Sequence, residues 1–136
     1  MNSRDYIKLL ETIFDSVYEG ILVTDPNKKI IFYNNELAKW ENLSKKDVLG
    51  KHLMDVYDVT EQESDHIRVT ESGEPLLEKH KHIIPKNGKK IDIIANTIPF
   101  FKDGKLLCVY SICRNVTQIK ELLEKTIQLQ GQIGLE

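Results

Sequence analysis

The chain has little of the material that several protein classes require. It contains no apolar run of membrane-spanning length, and its first residues, from Met1 to Asp5, are polar, unlike a signal peptide. Its 136 residues include 19 basic and 21 acidic side chains, for a net charge of −2. Because these charges are nearly balanced and mixed along the chain, we expect no nucleic-acid surface. The lack of a long apolar run predicts no membrane partner, and we expect a cytoplasmic domain.

Cysteine is scarce as well. The two cysteines, Cys108 and Cys113, lie in one apolar run that is typical of a strand. Their separation is an odd number of residues, so a regular strand points their side chains to opposite faces, where no disulfide can form. We therefore expect two reduced thiols, as is usual in the cytosol.

The patterns that catalytic sites require are missing too. The chain has no nucleophile elbow, no phosphate-binding glycine loop and no pair of carboxylates placed to converge. Asp55 and Asp58 are expected at helix ends. We predict a protein that is not an enzyme and has no catalytic residues.

The sequence does contain an ordered series of helix and strand patterns. An apolar stripe at helical spacing begins after Ser3 and ends at Gly20. Thr60 and Glu63 form a capping box that predicts a helix start. Strands are predicted at residues 20–25, 29–33, 77–85, 89–100 and 105–116, with Asn87-Gly88 and Asp103-Gly104 as hairpin turns.

This order predicts the fold class. Five strands, with short helices grouped between the second and the third, indicate an α+β domain in which helices cover one face of an antiparallel sheet. We divide the chain into an N-terminal amphipathic helix (1–19), a core (20–117) and a C-terminal helix (118–136).

Six short motifs follow this order of elements. They are GILVTD (20–25), NN (34–35), VLGK (48–51), ESGEP (71–75), KNGK (86–89) and NVT (115–117). These motifs resemble those of the PAS domain family. The resemblance implies a PAS fold, with a small cavity between the sheet and the short helices and flanking helices at both ends.

Three further motifs carry a narrower resemblance. They are YNN (33–35), DVL (47–49) and LMDV (53–56). They are similar to the N-terminal sensory PAS domain of sigma-54-dependent activators of arginine utilisation. The resemblance implies a regulatory sensor with a small-molecule effector, such as an amino acid. It also implies downstream AAA+ ATPase and helix-turn-helix domains, of which this chain has no sequence pattern.

The junction after the second strand is the first candidate site. Asn34 can cap a helix, and in a PAS fold it is expected on the cavity wall, where its amide could orient a ligand. Trp40 is expected in the core or beside the ligand. On the last strand, Tyr110, Ser111 and Cys113 are candidate ligand-binding residues. The alternative is a ligand-free dimerisation module whose cavity is filled by Trp40, Phe32, Met54 and neighbouring side chains.

Cofactor patterns are weaker. The cysteine motif of flavin photoreceptors is absent, and we predict no cofactor. His66 lies on the helix from which a heme ligand would come, but we expect it to be a solvated surface residue. His80 and His82 share one face of a strand, which we expect to be an exposed edge strand rather than a metal site, since no third ligand is evident.

The C-terminal helix is the candidate relay. Asn115 or Thr117 can cap it, and because Asn115 stands where related domains have an acidic residue, we expect its contacts to be hydrogen bonds. Its seam predicts a short parallel coiled coil in a homodimer, and the alternative is a helix packed on its own sheet. The seam residues are Ile119, Leu122, Thr126, Leu129 and Ile133.

Overall fold

A computed structural model of the protein describes residues 1–132. It contains one five-stranded sheet in which all neighbouring strands are antiparallel, in the spatial order β2-β1-β5-β4-β3. The predicted α+β class is therefore confirmed, and β3 is an edge strand as expected. The strands are β1 (Gly20–Thr24), β2 (Ile30–Tyr33), β3 (Leu76–Ile83), β4 (Ile91–Lys102) and β5 (Lys105–Asn115).

Six helices accompany the sheet within the described residues. The four short ones, α2 to α5, lie between β2 and β3 in the chain, as predicted, and they cover one face, which we call the inner face. No helix within residues 1–132 has the length and apolar character needed to cross a membrane. The helices are α1 (Ser3–Phe14), α2 (Asn35–Glu41), α3 (Lys45–Val48), α4 (Leu53–Val56), α5 (Asp65–Ser72) and α6 (Thr117–Gln132).

The core forms between the inner face and the short helices. Leu37, Val48 and Ile67 come from α2, α3 and α5, and each is almost completely buried against strand residues such as Leu22 and Ile30. Burying an aliphatic side chain of this size contributes about 1.5–3 kcal/mol. Helices of four to eight residues cannot persist alone, so this packing holds them in place.

Two predicted helix starts are wrong. Asn2, not Ser3, caps α1, through a capping box with Asp5, and α1 ends at Phe14 instead of reaching Gly20. The Thr60–Glu63 capping box does form, with hydrogen bonds of 3.1 and 3.2 Å. It closes only a turn, however, because Ser64 caps the helix that follows.

The two hairpin signals differ in outcome. Asp103 and Gly104 both adopt left-handed backbone, with φ of 53° and 76°, which is the type I′ geometry that a two-residue hairpin requires. Asn87 and Gly88 lie in a longer loop instead. The β3–β4 ladder stops at Ile83 and Ile91, because the chain then pairs Pro85 with Tyr57.

The two end helices expose their apolar side chains. None of the α1 residues is buried, and none along the described length of α6 is buried either. Ile119, Leu122 and Leu129 are each more than half exposed, so these seam residues of α6 do not pack on the sheet of their own domain. Ile133, the last seam residue, lies outside the described residues.

The start of β1 is packed too tightly for a side chain. A Cβ at Gly20 would lie 2.8 Å from Trp40 Cζ3 and 3.1 Å from Leu37 Cδ1. We expect Gly20→Ala to lower the free energy of unfolding by about 1–3 kcal/mol, because the Trp40 ring must move. Gly88→Ala is the control, since a Cβ at Gly88 meets nothing within 4 Å. Urea unfolding curves measure both, and equal midpoints for the two variants would contradict this packing.

Candidate functional site

A cavity of about 100 Å³ lies between the inner face of the sheet and the short helices. One side is apolar, formed by residues such as Leu22, Leu53 and Ile93. Buried polar side chains also reach it, which is unusual for a void that only reflects imperfect packing. These residues are Glu41, Asp65, His66, Thr97, Ser111 and Cys113.

Glu41, the last residue of α2, is the most unusual of them. Its side chain is buried, and its Oε1 accepts two hydrogen bonds, from Tyr33 Oη at 2.5 Å and from Tyr57 Oη at 2.7 Å. The second carboxylate oxygen, Oε2, is also buried and has no hydrogen-bond partner among the residues that the structure describes. Glu41 therefore lines the cavity and carries one carboxylate oxygen without a hydrogen-bond partner in the described part of the chain.

The environment of Glu41 changes its ionisation. Burial raises the pKa of Glu41 to about 7, although the hydrogen bonds from Tyr33 and Tyr57 work in the opposite direction. Burial and the nearby carboxylate raise the pKa of both tyrosines, so both remain hydrogen-bond donors. Glu41 can consequently gain or lose a proton near neutral pH.

His66 is the second polar centre, and the prediction of a solvated surface residue is wrong. It is buried on α5, with Nδ1 3.0 Å from Thr24 Oγ1 and Nε2 2.9 Å from Ser111 Oγ. Burial lowers the pKa of His66 to about 4, so the ring is neutral at physiological pH. Both ring nitrogens are engaged by hydroxyl groups, which leaves neither available to a heme iron.

Asn34 does not line the cavity, so its predicted place on the cavity wall is wrong. Its Oδ1 accepts from Ile21 N at 2.9 Å and from Leu37 N at 3.2 Å. Its Nδ2 donates to the carbonyl oxygens of Phe14 and Glu19, both at 2.8 Å. The predicted helix cap is present, but no donor or acceptor remains for a ligand.

Two other predicted residues also lie outside the cavity. Trp40 packs against the core, and its Nε1 donates to Glu36 Oε1 at 3.0 Å. Tyr110 precedes Ser111 on β5, so its side chain points to the opposite face. The cavity is not filled by Trp40, Phe32 and Met54, because none of the three lines it.

Ser111 and Cys113 line the cavity, and their role in ligand binding stays a prediction. The Cys113 thiol lies 3.8 Å from Ser111 Oγ, and burial raises its pKa to about 12, so it stays protonated. Cys108 is half-buried, and neither cysteine forms a disulfide.

The junction between β5 and α6 contains an unpredicted acidic residue, Asp92. Thr117 Oγ1 accepts from Asp92 N at 3.0 Å, and Val116 N donates to Asp92 O at 2.9 Å. Lys120 Nζ lies 3.5 Å from Asp92 Oδ2. Asn115 Oδ1 accepts from Thr117 N at 3.0 Å, as expected for a cap, but the junction also has an ionic contact.

The histidines of β3 lie beside the same carboxylate. His82 Nδ1 contacts Asp92 Oδ1, and His80 Nε2 is 3.8 Å from it. Burial alone would raise the pKa of Asp92, but the contacts with His82 and Lys120 outweigh it, so the pKa is lowered. Within residues 1–132, no three potential ligands are arranged to hold a metal ion.

The geometry agrees with the result of comparison to known families. A PAS domain family model matches residues 19–118. The chain belongs to the PAS domain family. The same comparison confirms the resemblance on which the sequence analysis relied.

Individual proteins that are similar to this chain give more specific information than the family match. The PAS chain is 28% identical over 124 residues to the transcriptional activator RocR of Bacillus subtilis, covering 90% of this chain and 27% of that protein. Two of the solved structures that are similar to this chain show a similarity of fold at low sequence identity. A PAS domain from Colwellia psychrerythraea has a TM-score of 0.68 at 22% identity, covering 84% of this chain and 99% of that one. An RNA-binding Light-Oxygen-Voltage receptor has a TM-score of 0.70 at 15% identity, covering 96% and 39%.

Sequence reasoning missed the two residues that define this PAS cavity. Glu41 follows Leu37 by four positions in a helix, so both occupy one face, and an apolar Leu37 indicates that this face is buried. That signal could have found Glu41. His66 had no comparable signal, because its partners Thr24 and Ser111 are 42 and 45 positions away in the chain.

The Asn34 amide should be important for stability. We expect Asn34→Ala to lower the free energy of unfolding by about 3 kcal/mol, because it removes a cap and leaves buried backbone groups unpaired. Asn35→Ala is the matched control, since Asn35 is exposed and bonds Asp15 only through its backbone N–H. Its expected change is within about 0.5 kcal/mol. Chemical denaturation compares the two, and a small effect at Asn34 would contradict the assignment.

Glu41 and His66 should give opposite pH dependences of stability. The raised pKa of Glu41 stabilises the fold below pH 4.5, an effect lost as pH rises through about 7. The lowered pKa of His66 stabilises the fold above pH 6.5, an effect lost as pH falls through about 4. Between pH 4.5 and 6.5 the two contributions, each about 3 kcal/mol, should largely cancel.

Single substitutions separate the contributions of Glu41 and His66 to the pH dependence of stability. Relative to the parent, the stability of Glu41→Gln should rise with pH across this interval, and that of His66→Gln should fall. Melting temperatures measured in a series of buffers test both slopes. The same slope in both variants would show that these residues do not titrate as described.

Proposed function

We propose that this PAS domain is the sensor module of a transcriptional regulator, in which a small-molecule effector in the cavity alters the geometry of α6. One observation carries the proposal: Ser111 and Cys113 line the cavity on β5, and β5 runs directly into the β5–α6 junction. The similarity to a transcriptional activator supports the regulatory role.

The size of the cavity favours a small effector. Pockets for drug-sized ligands and cofactors generally span about 300–1,000 Å³, whereas this one is about 100 Å³. A flavin or a heme would require a large rearrangement of the core. The proposed ligand is therefore a small metabolite, such as the amino acid implied by the resemblance, bound without a cofactor and without catalysis.

The relay follows two short connections from the cavity to α6. The first is β5 itself, and the second passes from Ile93, which lines the cavity, to the adjacent Asp92. Asp92 is bound to Thr117 and Lys120 in the first turn of α6. A ligand shifts such a junction only as far as its affinities for the two arrangements differ.

Homodimerisation is the expected output of the relay. The exposed seam residues Ile119, Leu122 and Leu129 would pair with the same helix of a second copy. The chain spans 27% of the length of the curated relative, so AAA+ and helix-turn-helix domains belong to the proposed longer, cytoplasmic protein.

A second candidate function is a dimerisation module that binds no effector. The exposed apolar residues on both α1 and α6 favour it, because two unpaired amphipathic helices suit an interaction role even without a ligand. Ligand dependence separates the two functions.

Cross-linking at the seam tests the relay. Leu122→Cys is introduced together with Cys108→Ser, and an amino-acid screen by thermal shift identifies ligands, since binding to the native state raises the melting temperature. We expect such a ligand to change the disulfide yield at position 122. Glu124→Cys is the control, because it lies on the opposite side of the helix.

The outcomes separate the two functions. A ligand that raises the melting temperature without changing the yield at position 122 would make α6 a passive tether. Strong cross-linking with no stabilising ligand would favour the ligand-free module. No cross-linking under either condition would contradict the parallel seam.

A further inference from the structure

We propose that Glu41 recognises the cationic nitrogen of a small alkylammonium ligand, whose N–H groups donate to Glu41 Oε2. This inference rests on the proposed function, because it assumes that the cavity binds an effector. It adds the chemical class of the ligand and the residue that selects it.

The first support is the hydrogen bonding of the carboxylate. Tyr33 and Tyr57 both donate to Oε1, so the two hydrogen bonds that the protein gives this carboxylate go to the same oxygen. Oε2 is buried without a partner among residues 1–132 and belongs to a side chain that is only 3% exposed. A buried carboxylate oxygen left unsatisfied costs about 1–3 kcal/mol or more. Because Glu41 lines the cavity, a molecule bound there is the partner that we propose for Oε2.

The second support is the charge around Glu41. Four titratable groups of other elements contact Glu41 or line the cavity with it, and all four remain neutral at physiological pH, because burial shifts each pKa so that the uncharged form is favoured. The lining also contains Glu63, Asp65, Lys81 and His82. Lys81, the lysine of this lining, pairs with Asp65 at 3.0 Å and donates to the Glu63 carbonyl oxygen, so its hydrogen bonds go to those residues and not to Glu41. A ligand cation supplies the missing charge, and its N–H groups supply the missing donor. The four groups are Tyr33 on β2, Tyr57 after α4, His66 on α5 and Cys113 on β5.

The remaining lining restricts the ligand to a short chain. Leu22, Leu53 and Ile93 provide apolar contacts suited to methylene groups. Lys81 and Asp65 also border the cavity and pair with each other at 3.0 Å, so a polar second end of the ligand would meet charged groups there. A monoamine, a diamine and a diamino acid share the required ammonium group.

This recognition predicts proton release on binding. A cation favours the ionised carboxylate, so the ligand lowers the pKa of Glu41 from its value of about 7 in the free protein. An alkylammonium keeps its own charge throughout this range. Affinity should therefore weaken about tenfold between pH 8 and pH 6, because more of the free protein must lose a proton on binding.

Calorimetric titration of the protein with propylamine, 1,4-diaminobutane and ornithine tests the inference, with 1-propanol as an uncharged control. We expect at least one amine to bind, 1-propanol not to bind, and the heat in different buffers to reveal released protons at pH 7. Binding of the simple amines identifies the ammonium group as sufficient. Binding of ornithine alone assigns the second end of the ligand to the Lys81 side.

Two variants keep the test specific. Glu41→Gln should weaken amine binding at least tenfold and remove the pH dependence, whereas the exposed Glu61→Gln should change neither. Tyr57→Phe removes one donor to Oε1, which raises the pKa of Glu41 further, so the loss of affinity should begin at a higher pH. Circular dichroism confirms folding, and Tyr57→Phe still tests the inference if Glu41→Gln does not fold.

The possible results distinguish this inference from the function on which it rests. Amine binding that is equal in parent and Glu41→Gln overturns it. So does a stabilising ligand that carries no cationic nitrogen while every amine fails, although the sensor function then stands. If neither amines nor any other small molecule raises the melting temperature, both fail.

Discussion

The side-chain amide of Asn34 joins the segments on which the rest of the domain is built. It connects the end of α1 at Phe14, the approach to β1 at Glu19, the strand residue Ile21 and the first turn of α2 at Leu37. Because α2 is only seven residues long, this anchor sets where its last residue lies. The position of Glu41 in the cavity therefore depends on a hydrogen-bonding unit that does not itself contact the cavity.

Two ionisable side chains, His66 and Glu41, are buried at the cavity, and they differ in how completely they are hydrogen-bonded. His66 is fully satisfied by Thr24 and Ser111 and stays neutral, so it behaves as a structural hydrogen-bonding element. Glu41 is satisfied on one oxygen only, and its pKa of about 7 leaves both charge states accessible. Polar groups that are completely paired contribute to a defined core, whereas an incompletely paired one marks a place where a ligand can bind.

The two end helices differ from the inner face of the sheet in what they do with their apolar side chains. The inner face carries the cavity, but α1 and α6 present exposed apolar side chains to their surroundings. Asp92 links the two regions, since its backbone and its carboxylate hold Thr117 and Lys120 next to the cavity residue Ile93. Asp92 therefore connects the wall of the cavity to the first turn of α6 through direct contacts.

Local sequence was sufficient for the α+β class, the order of the strands along the chain, the tight turn at Asp103-Gly104 and the helix cap at Asn34. Each rests on periodicity or on hydrogen bonds between residues a few positions apart. The cavity was decided only by tertiary structure. Glu41 and Tyr57 are 16 positions apart, and Thr24 and His66 are 42 apart. Whether a polar side chain is buried, and whether it is satisfied there, depends on such distant partners, which no local pattern contains.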